Sequence, residues 1–418
     1  MQRKSRRDHH SFQPETLALG LGYDPALSEG ALKMPVFLTS NFLFTNAEQG
    51  RRFFQAAYGL AEMPKGEAMG LIYSRLNNPN LEIYEERIAA LEGMDRAALF
   101  ASGMSAIATT LLALARPGDA ILSTAPVYGG THFLLEKILP PLGIEVHWTP
   151  AGDEAPAGLE QAARQYGDRV RMLYLETPAN PTLSLTDIRA VADLAARLST
   201  PDRRVLVAVD NTFLGPVFQK PRDFGADLVF YSATKFLGGH SDLVAGVTIA
   251  DRATMAEVLT YRTILGTVAE PFTAWLLSRS LETLSVRMRR QAKTARILAR
   301  LLAEHRHVRK VWYPGILEPG TPQAELFARQ CSGPGSLIAF EIEGGEAEAF
   351  AVLDRLEVVR LAVSLGGTES LAEHPMRMTH ADVPPELLGA HGVTESMIRI
   401  SVGLEHVDDL KRDLVQAL

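Results

Sequence analysis

A lysine that follows an apolar run is the first residue of this sequence with the position of a catalytic group. Lys235 ends the segment Ser232-Ala-Thr-Lys235, directly after the run Asp227-Leu-Val-Phe-Tyr231. Functional sites of parallel sheets collect beyond the carboxyl ends of the strands, and a lysine that loses its water there becomes a nucleophile. The tetrapeptide alone fits a solvated surface lysine better, so neighbouring signals must decide.

An aspartate supplies the second signal. The segment Val207-Ala-Val-Asp210-Asn-Thr212 places a carboxylate at the end of another apolar run, about 25 residues before Lys235. A buried carboxylate needs a partner, and a pyridinium nitrogen is a partner that also strengthens a cofactor as an electron sink. Asp210 by itself could equally cap a helix or a turn. Its spacing from Lys235 favours the cofactor role.

A serine-glycine pair supplies the third signal. Ser102-Gly103-Met104 follows an apolar run that ends at Phe100 and opens a helical pattern. The free N–H groups of a helix start form an anion site, and glycine allows an anion to approach closely. Ser232 and Thr234 could donate hydroxyl hydrogen bonds to the same anion, a single phosphate. Without the other signals, such a pair is usually only a helix cap.

Seven apolar runs alternate with amphipathic stretches between Ala97 and Ala250, and they must position these residues. Runs such as Val205-Leu-Val-Ala-Val209 are apolar throughout, as expected for strands that are buried on both faces. The pattern predicts an α/β fold with a mostly parallel seven-stranded sheet. The predicted strands are 97–100, 119–124, 144–149, 170–176, 205–210, 227–232 and 244–249. The predicted helices include 103–115, 129–138 and 187–198.

The pattern changes after residue 268. Apolar residues recur at helical spacing from Trp275 to Leu302, which predicts one long helix that leaves the first domain. A smaller α+β domain follows, with predicted strands at 336–342, 358–363 and 398–402 and helices at about 346–355 and 407–417.

The chain therefore divides into three parts. Residues 1–72 are an N-terminal arm and inter-subunit segment, in which residues 43–71 are a surface loop or a contact with a partner subunit. Residues 73–268 are the large domain, and residues 269–418 are the long connecting helix with the small C-terminal domain.

Length and composition exclude several classes of protein. The 418 residues exceed the roughly 250–300 at which single cores stop growing, so more than one domain is expected. A net charge of -7 disfavours nucleic acid as a partner. The single cysteine, Cys331, allows no intrachain disulfide, and no stretch approaches the roughly 20 apolar residues of a membrane span. We expect a cytoplasmic protein with no membrane partner and no metal site.

Eight segments of the chain resemble the Cys/Met-metabolism family of fold-type I enzymes that depend on pyridoxal 5′-phosphate (PLP). They occur in the family's order and spacing from about residue 73 to the C-terminus. The segments are Tyr73-Ser-Arg-Leu-Asn-Asn-Pro79, Ala101-Ser-Gly-Met104, Tyr128-Gly-Gly130, Glu176-Thr-Pro-Ala-Asn-Pro181, Val209-Asp-Asn-Thr212, Ser232-Ala-Thr-Lys235, Val363-Ser-Leu-Gly366 and Ile398-Arg-Ile-Ser-Val-Gly-Leu-Glu405. The resemblance implies the aminotransferase-like fold of PLP-dependent transferases.

The resemblance also implies a role for each matching residue. Lys235 would hold PLP covalently and shuttle protons, and Asp210 would bind the pyridine nitrogen. Tyr128 would stack on the ring and assist the leaving group. The phosphate would be held by Gly103, Met104, Ser232 and Thr234, together with Tyr73 and Arg75 of a neighbouring subunit in a homodimer or homotetramer. The substrate carboxylate would be bound by Arg399, with help from Asn180 and Ser364.

The residue before Ser364 bears on the substrate. Members of the family that act on cystathionine tend to carry an acidic residue there, whereas this sequence has Val363. An apolar side chain suits a methylthio group better than a charged one. The expected reaction is therefore γ-elimination from L-methionine, as in methionine γ-lyases. Two departures, Gly130 and a long segment between about Arg52 and Gly70, leave the exact substrate open.

The sequence leaves four other functions to consider. Within the family, the alternative is γ-replacement on an O-acylhomoserine, as in cystathionine γ-synthase or a sulfhydrylase. Ser232-Ala-Thr-Lys235 also matches the Ser-x-x-Lys motif of acyl-serine enzymes, but the Ser-Asp-Asn and Lys-Thr-Gly elements of those enzymes do not occur. A dinucleotide enzyme is disfavoured by the lack of Gly-x-Gly-x-x-Gly. A non-catalytic PLP-binding protein would not need all the catalytic residues that this chain retains.

Overall fold

Two sheets organise residues 12–418, which are the residues that the computed structural model describes. The first eleven residues of the predicted N-terminal arm lie outside the described residues. Among residues 12–418, the larger sheet has seven strands and the smaller has five.

The seven-stranded sheet is mostly parallel, as predicted. Its strand order is β1-β7-β6-β5-β4-β2-β3. Strands β2 to β6 run parallel to one another, and β7 is antiparallel to both of its neighbours. The strands are β1 (Arg96–Phe100), β2 (Ala120–Ala125), β3 (Glu145–Pro150), β4 (Val170–Glu176), β5 (Leu206–Asp210), β6 (Leu228–Ser232) and β7 (Gly246–Ala250). All seven predicted strands are confirmed to within two residues at each end.

Apolar side chains cover both faces of this sheet, which explains the unbroken apolar runs in the sequence. Val207 and Val209 of β5 belong to one buried cluster, and Leu206 and Ala208 belong to another on the opposite face. Helices pack on both faces. Those before residue 268 are α1 (Pro14–Gly20), α2 (Ala47–Ala57), α3 (Pro79–Glu92), α4 (Gly103–Leu114), α5 (Gly129–Phe133), α6 (Ala155–Tyr166), α7 (Ile188–Leu198), α8 (Gly215–Phe218) and α9 (Arg252–Leu265).

The prediction of one long helix from Trp275 to Leu302 is wrong. The structure has two helices, α10 (Pro271–Leu281) and α11 (Leu284–Ala303), with Glu282 and Thr283 between them. The apolar periodicity continues across the break because residues of both helices pack into the same core of the large domain, among them Leu277, Leu281, Leu284 and Met288.

The five-stranded sheet has the order β10-β11-β12-β9-β8 and is antiparallel except between β10 and β11. Its strands are β8 (Val308–Trp312), β9 (Leu337–Ile342), β10 (Arg360–Leu361), β11 (Leu371–Glu373) and β12 (Met397–Ser401). The helices with it are α12 (Pro322–Gln330), α13 (Glu346–Arg355), α14 (Pro385–Ala390) and α15 (Val407–Ala417). Strands β8 and β11 were not predicted, and the strand predicted at 358–363 is only two residues long.

The segment predicted as a loop or partner contact at residues 43–71 contains helix α2. The side chain of Asn46 caps this helix by accepting a hydrogen bond from the backbone N–H of Gln49 at 2.9 Å. Large apolar side chains nearby remain exposed, with Leu43 fully exposed and Leu60 at 76%. Such exposure is typical of a surface that another chain covers.

Cys331 follows α12 and is shielded from water. Its thiol donates to Oε1 of Gln219 at 3.4 Å, and burial raises the pKa of Cys331 to about 12. Among residues 12–418, no three His, Cys, Asp or Glu side chains are arranged as ligands for a metal ion. No helix in the described part of the chain is long and apolar enough to cross a membrane.

Candidate active site

Three neighbouring parallel strands end at one edge of the large sheet with polar side chains. β4 ends at Glu176, β5 at Asp210 and β6 at Ser232, and Glu176 lies opposite Asp210 in the register of β4 and β5. A cavity of about 340 Å³ lies beyond these strand ends. It occupies the position expected for the site of an α/β sheet.

Most of the predicted site residues meet in this cavity. Eleven of the thirteen line it: Gly103, Met104, Tyr128, Asn180, Asp210, Ser232, Thr234, Lys235, Val363, Ser364 and Arg399. The large domain supplies eight of them, and residues after α11 supply the other three. Tyr73 and Arg75 do not line the cavity of their own chain.

Lys235 lies three residues beyond β6 and is largely removed from water. Its amino group donates a hydrogen bond to the hydroxyl of Ser364 at 2.7 Å. Burial, with the positive charge of Arg399 as a smaller contribution, lowers the pKa of Lys235 from 10.5 to about 8. Roughly a tenth of the molecules therefore carry the neutral amine at pH 7, which is the form that a nucleophile or base requires.

Asp210 is a buried carboxyl with one oxygen engaged. Its Oδ1 accepts hydrogen bonds from the backbone N–H of Thr212 at 3.0 Å and from the hydroxyl of Thr212 at 2.6 Å. Oδ2 is left to meet a donor in the cavity. The hydroxyl of Thr212 also accepts a bond from the backbone N–H of Ser232 at 2.9 Å, which ties the ends of β5 and β6 together.

Glu176 lines the same cavity as Asp210, and ionisation of one of these carboxyls disfavours ionisation of the other. It accepts a hydrogen bond from the backbone N–H of Tyr128 at 2.9 Å. Burial raises the pKa of both carboxyls, and for Glu176 the charge of Asp210 raises the pKa further. Glu176 therefore keeps its proton more readily, and Asp210 ionises first.

The start of α4 lies in the wall of the cavity. Ser102 caps the helix by accepting from the backbone N–H of Ser105 at 3.0 Å. A methyl group on Gly103 would come 3.0 Å from Cβ of Ser232, and one on Gly246 would come 2.1 Å from the carbonyl oxygen of Ser102. The close packing brings Ser232 against the helix start, where an anion is stabilised.

Arg399 is buried in the wall of the same cavity, on β12. Its guanidinium donates to Oδ1 of Asn180 at 2.8 Å and to the carbonyl oxygen of Ser364 at 3.3 Å. It also pairs at 2.9 Å with Glu373, its cross-strand neighbour on β11, and both side chains are at most 2% exposed. A buried cation needs such a partner. The pair leaves other N–H groups of Arg399 free for a carboxylate, because a guanidinium has five.

Tyr128 and Val363 lie at the more open part of the cavity. Tyr128 is 43% exposed and Val363 is 55% exposed. Val363 immediately precedes Ser364, whose backbone has a φ of 92°, a left-handed conformation that is unusual for serine. The turn at Ser364 brings the apolar side chain of Val363 and the hydroxyl of Ser364 to the same cavity.

Tyr73 and Arg75 lie elsewhere on the chain. Arg75 donates to the carbonyl oxygen of Thr263 at 2.6 Å, and its guanidinium lies 5.8 Å from the centroid of the Tyr73 ring. Tyr73 is 38% exposed. Their predicted role in the site of a neighbouring subunit stays a prediction.

The sequence did not single out four polar residues at the site, Glu176, Thr212, Glu373 and Thr379, nor the apolar lining residues Ile107, Phe213, Val244 and Leu365. Glu176 and Thr212 stood inside quoted segments at the ends of strands, so the position that identified Asp210 could have identified them too. Thr379 lines the cavity and donates to Glu373 at 2.8 Å. Glu373 and Arg399 are 26 residues apart in the sequence and are brought into contact by the pairing of β11 with β12. No local sequence pattern predicts that contact.

Comparisons with known proteins agree with this architecture. The family model "Cys/Met metabolism PLP-dependent enzyme" matches residues 15–418. The L-methionine gamma-lyase of Pseudomonas deceptionensis is 40% identical over 415 residues, which is 98% of both chains. The O-succinylhomoserine sulfhydrylase of Pseudomonas aeruginosa is 36% identical, over 97% of this chain and 94% of that one. Cystathionine gamma synthase from Xanthomonas oryzae pv. oryzae, solved in complex with cystathionine, is 35% identical with a TM-score of 0.86 over 97% of both chains.

The residues of the cavity fit PLP. Lys235 provides a desolvated amine, Asp210 provides an acidic partner for a ring nitrogen, and the glycine at position 103 leaves the start of α4 open to a phosphate. These are the three attachments that the cofactor needs. The chain therefore belongs to the family of Cys/Met metabolism PLP-dependent enzymes, and PLP is its cofactor.

Proposed function

We propose that this enzyme cleaves L-methionine by γ-elimination and releases methanethiol, 2-oxobutanoate and ammonia. The observation that carries the proposal is the apolar side chain of Val363 on the cavity wall, beside the hydroxyl of Ser364. An uncharged wall accepts a thioether and offers no partner to a distal ammonium group. The similarity to the L-methionine gamma-lyase of Pseudomonas deceptionensis supports the same assignment.

PLP, when bound, withdraws electrons from the Cα of the amino acid and so makes its α-proton labile. Lys235 is the base that takes this proton, since its lowered pKa leaves part of the amine neutral near pH 7. Once the amine has passed this proton to the bound cofactor, it can remove a second proton at Cβ, after which the γ-substituent leaves. Ser364, which accepts a hydrogen bond from Lys235, orients the amine between these two positions.

Arg399 binds the α-carboxylate of the substrate, and Asn180 and Glu373 hold the guanidinium in place. Tyr128, which lines the cavity, would stack on the cofactor ring and assist departure of the thiolate. Gly103, Met104, Ser232 and Thr234 bind the phosphate of the cofactor. Asp210 would hold the ring nitrogen through Oδ2, because Thr212 engages only Oδ1.

We further propose a homodimer, and in solution a homotetramer, in which Tyr73 and Arg75 of one subunit reach the phosphate site of its neighbour. The exposed apolar side chains near the N-terminus, such as Leu32, Leu43 and Leu60, support a covering subunit. The enzyme is proposed to act in the cytoplasm, where a chain with one unpaired cysteine meets a reducing environment.

The alternative function is γ-replacement on an O-acylhomoserine. The similarity of nearly the whole chain to an O-succinylhomoserine sulfhydrylase supports this alternative. It would use the same residues up to departure of the γ-substituent, after which a thiol adds instead of ammonia being lost. A protein that binds PLP without catalysis is a further alternative, and it would turn over none of these substrates.

Substrate profiling tests the assignment. The purified holoenzyme is incubated separately with L-methionine, with L-cystathionine, and with O-acetyl- or O-succinylhomoserine plus cysteine. 2-Oxobutanoate, free thiol and cystathionine are then quantified. We expect 2-oxobutanoate and methanethiol in equal amounts from methionine, with the highest kcat/KM of the set. A higher kcat/KM for replacement on an acylhomoserine would favour the alternative.

A further inference from the structure

A buried histidine connects the two walls of the active site. His380 is 1% exposed and lies one residue after Thr379, in the segment between β11 and α14. Its Nδ1 lies 3.1 Å from the hydroxyl of Thr379, and its Nε2 lies 3.2 Å from the carbonyl oxygen of Val127. The imidazole therefore spans from the small domain to the residue that directly precedes Tyr128.

The contacts continue from Thr379 to the substrate-binding arginine. The hydroxyl of Thr379 donates to Oε1 of Glu373 at 2.8 Å, and the same oxygen pairs with Arg399 at 2.9 Å. An unbroken series of polar contacts thus joins Arg399 to the backbone beside Tyr128. All of its side chains except that of Thr379 are at most 2% exposed.

The backbone of the two segments is also in tight contact. A methyl group on Gly129 would come 2.2 Å from the carbonyl oxygen of Thr379. Only a glycine lets the turn after Tyr128 approach Thr379 so closely. His380 therefore lies where a small displacement of one domain against the other would separate Arg399 from Tyr128.

The proton count of this series requires a particular form of the imidazole. The carbonyl oxygen of Val127 can only accept, so Nε2 of His380 carries a proton and donates. Burial and the charge of Arg399 lower the pKa of His380 to about 4, so the ring is neutral near pH 7 and Nδ1 is an acceptor. Thr379 has one hydroxyl proton, so it can donate to the carboxylate of Glu373 or to Nδ1 of His380 but not fully to both. A neutral ring makes these contacts without adding a second buried cation beside Arg399.

We propose that His380 is a positioning residue, which sets the place of Arg399 relative to Tyr128 through Thr379 and Glu373. It touches neither substrate nor cofactor. The inference rests on the proposed role of Arg399 as the site of the α-carboxylate. Loss of the imidazole should therefore weaken binding of the carboxylate in particular and leave the cofactor attachments intact.

A binding experiment isolates this effect from turnover. L-Alanine and ethylamine differ by the α-carboxylate alone, and binding of either amine to the holoenzyme changes the visible absorbance of PLP. Titrations with both probes give the preference for alanine over ethylamine in the wild type and in His380→Phe, which fills the space without hydrogen bonds. We expect His380→Phe to lower the affinity for L-alanine about tenfold and to change that for ethylamine less than about twofold.

Two further variants sharpen the test. His380→Gln keeps an N–H donor toward Val127 and should recover part of the affinity for alanine. Thr379→Val removes the hydroxyl, and its effect combined with His380→Phe should be clearly less than the product of the two single effects, because both act through one series of contacts.

His374→Phe is the matched control. His374 is also fully buried in the small domain, and it directly follows Glu373 in the sequence. Its Nε2 lies 2.8 Å from the backbone carbonyl oxygen of Glu395. This variant should lower thermal stability without changing the preference between the probes.

An equal loss of affinity for alanine and ethylamine in His380→Phe, or the same loss of preference in His374→Phe, would overturn the proposal. A wild type that takes up PLP but shows no preference for alanine would contradict the role of Arg399, and a protein without visible absorbance would contradict the proposed function itself.

Discussion

The amino group of Lys235 lies 2.7 Å from the hydroxyl of Ser364, so a residue of the small domain holds the proposed base. The loop of Ser364 is fixed against the lysine from both sides. The backbone N–H of Gly366 donates to the hydroxyl of Ser401 at 2.8 Å, and a methyl group on Gly366 would come 2.7 Å from the backbone nitrogen of Phe236. The base is therefore positioned only when the two domains are packed together.

Replacing Lys235 with alanine should abolish turnover. The variant loses both the covalent attachment of PLP and the group that moves protons, which together are worth at least roughly a thousandfold in rate. Steady-state rates with methionine and mass spectrometry after borohydride reduction measure the two losses. Reduction should fix the cofactor to the peptide that carries Lys235 in the wild type and leave Lys235→Ala unlabelled. Lys310→Ala, which removes a lysine that contacts the ring of Trp312 and does not line the cavity, should behave as the wild type. A fully active Lys235→Ala protein would contradict the assignment.

Mixing two impaired variants tests the shared site. Arg75→Ala should weaken retention of PLP, and Lys235→Ala should be inactive. In a hybrid dimer, one site combines an intact Lys235 with an intact Arg75 from the neighbour. With random exchange, about a quarter of all sites should recover, since half of the dimers are hybrids and half of their sites are intact.

The pair Lys235→Ala and Asp210→Asn is the control for this mixing, because both residues belong to the site of the same chain. That mixture should recover nothing. If subunit exchange is demonstrated and the Arg75→Ala mixture also stays inactive, Arg75 does not serve a neighbouring site.

Replacing Val363 with glutamate should change the substrate preference. The carboxylate would provide a partner for the distal ammonium of cystathionine and would face the thioether of methionine with a charge. The ratio of kcat/KM for cystathionine to that for methionine should rise at least about tenfold. Val363→Gln has a similar size without the charge and should shift the ratio much less. A wild type that already prefers cystathionine would remove the main support for methionine as the substrate.

A buried carboxyl outside the active site makes stability depend on pH. Glu92 ends α3, where its Oε2 accepts a hydrogen bond from Tyr231 at 2.6 Å and its Oε1 has no partner. Burial raises the pKa of Glu92 from 4.5 to about 8. The folded state therefore holds this proton more tightly than the unfolded state, and stability falls as the pH rises from about 4.5 to about 8.

Glu92→Gln should remove this loss and keep an acceptor for Tyr231. At pH 8 we expect the variant to have a higher Tm and a free energy of unfolding that is larger by on the order of a few kcal/mol. Near pH 5 the two proteins should differ little in Tm. Thermal melts of both proteins across this range, with PLP saturating, provide the measurement. A Tm difference that does not change with pH would show that Glu92 is not the titrating group.

The sequence predicted the large domain better than the small one for a physical reason. Strands buried on both faces, such as β5, read as continuous apolar runs, and the site residues directly follow them. β8 is a half-exposed edge strand in which Arg309 and Lys310 interrupt the apolar pattern, so it was missed. The pairing of Glu373 with Arg399 depends on strand register, and the break between α10 and α11 depends on how two helices meet one core. Neither property is encoded in a local pattern.

The shielding of Cys331 has a practical consequence. Its thiol is the one thiol of the chain, and with a pKa of about 12 it stays protonated and unreactive at neutral pH. A cysteine introduced at an exposed position would therefore be the preferred target of a thiol-reactive fluorophore in an otherwise unaltered protein. Dyes placed in this way on the two domains would report directly whether they move against each other when an amino acid binds.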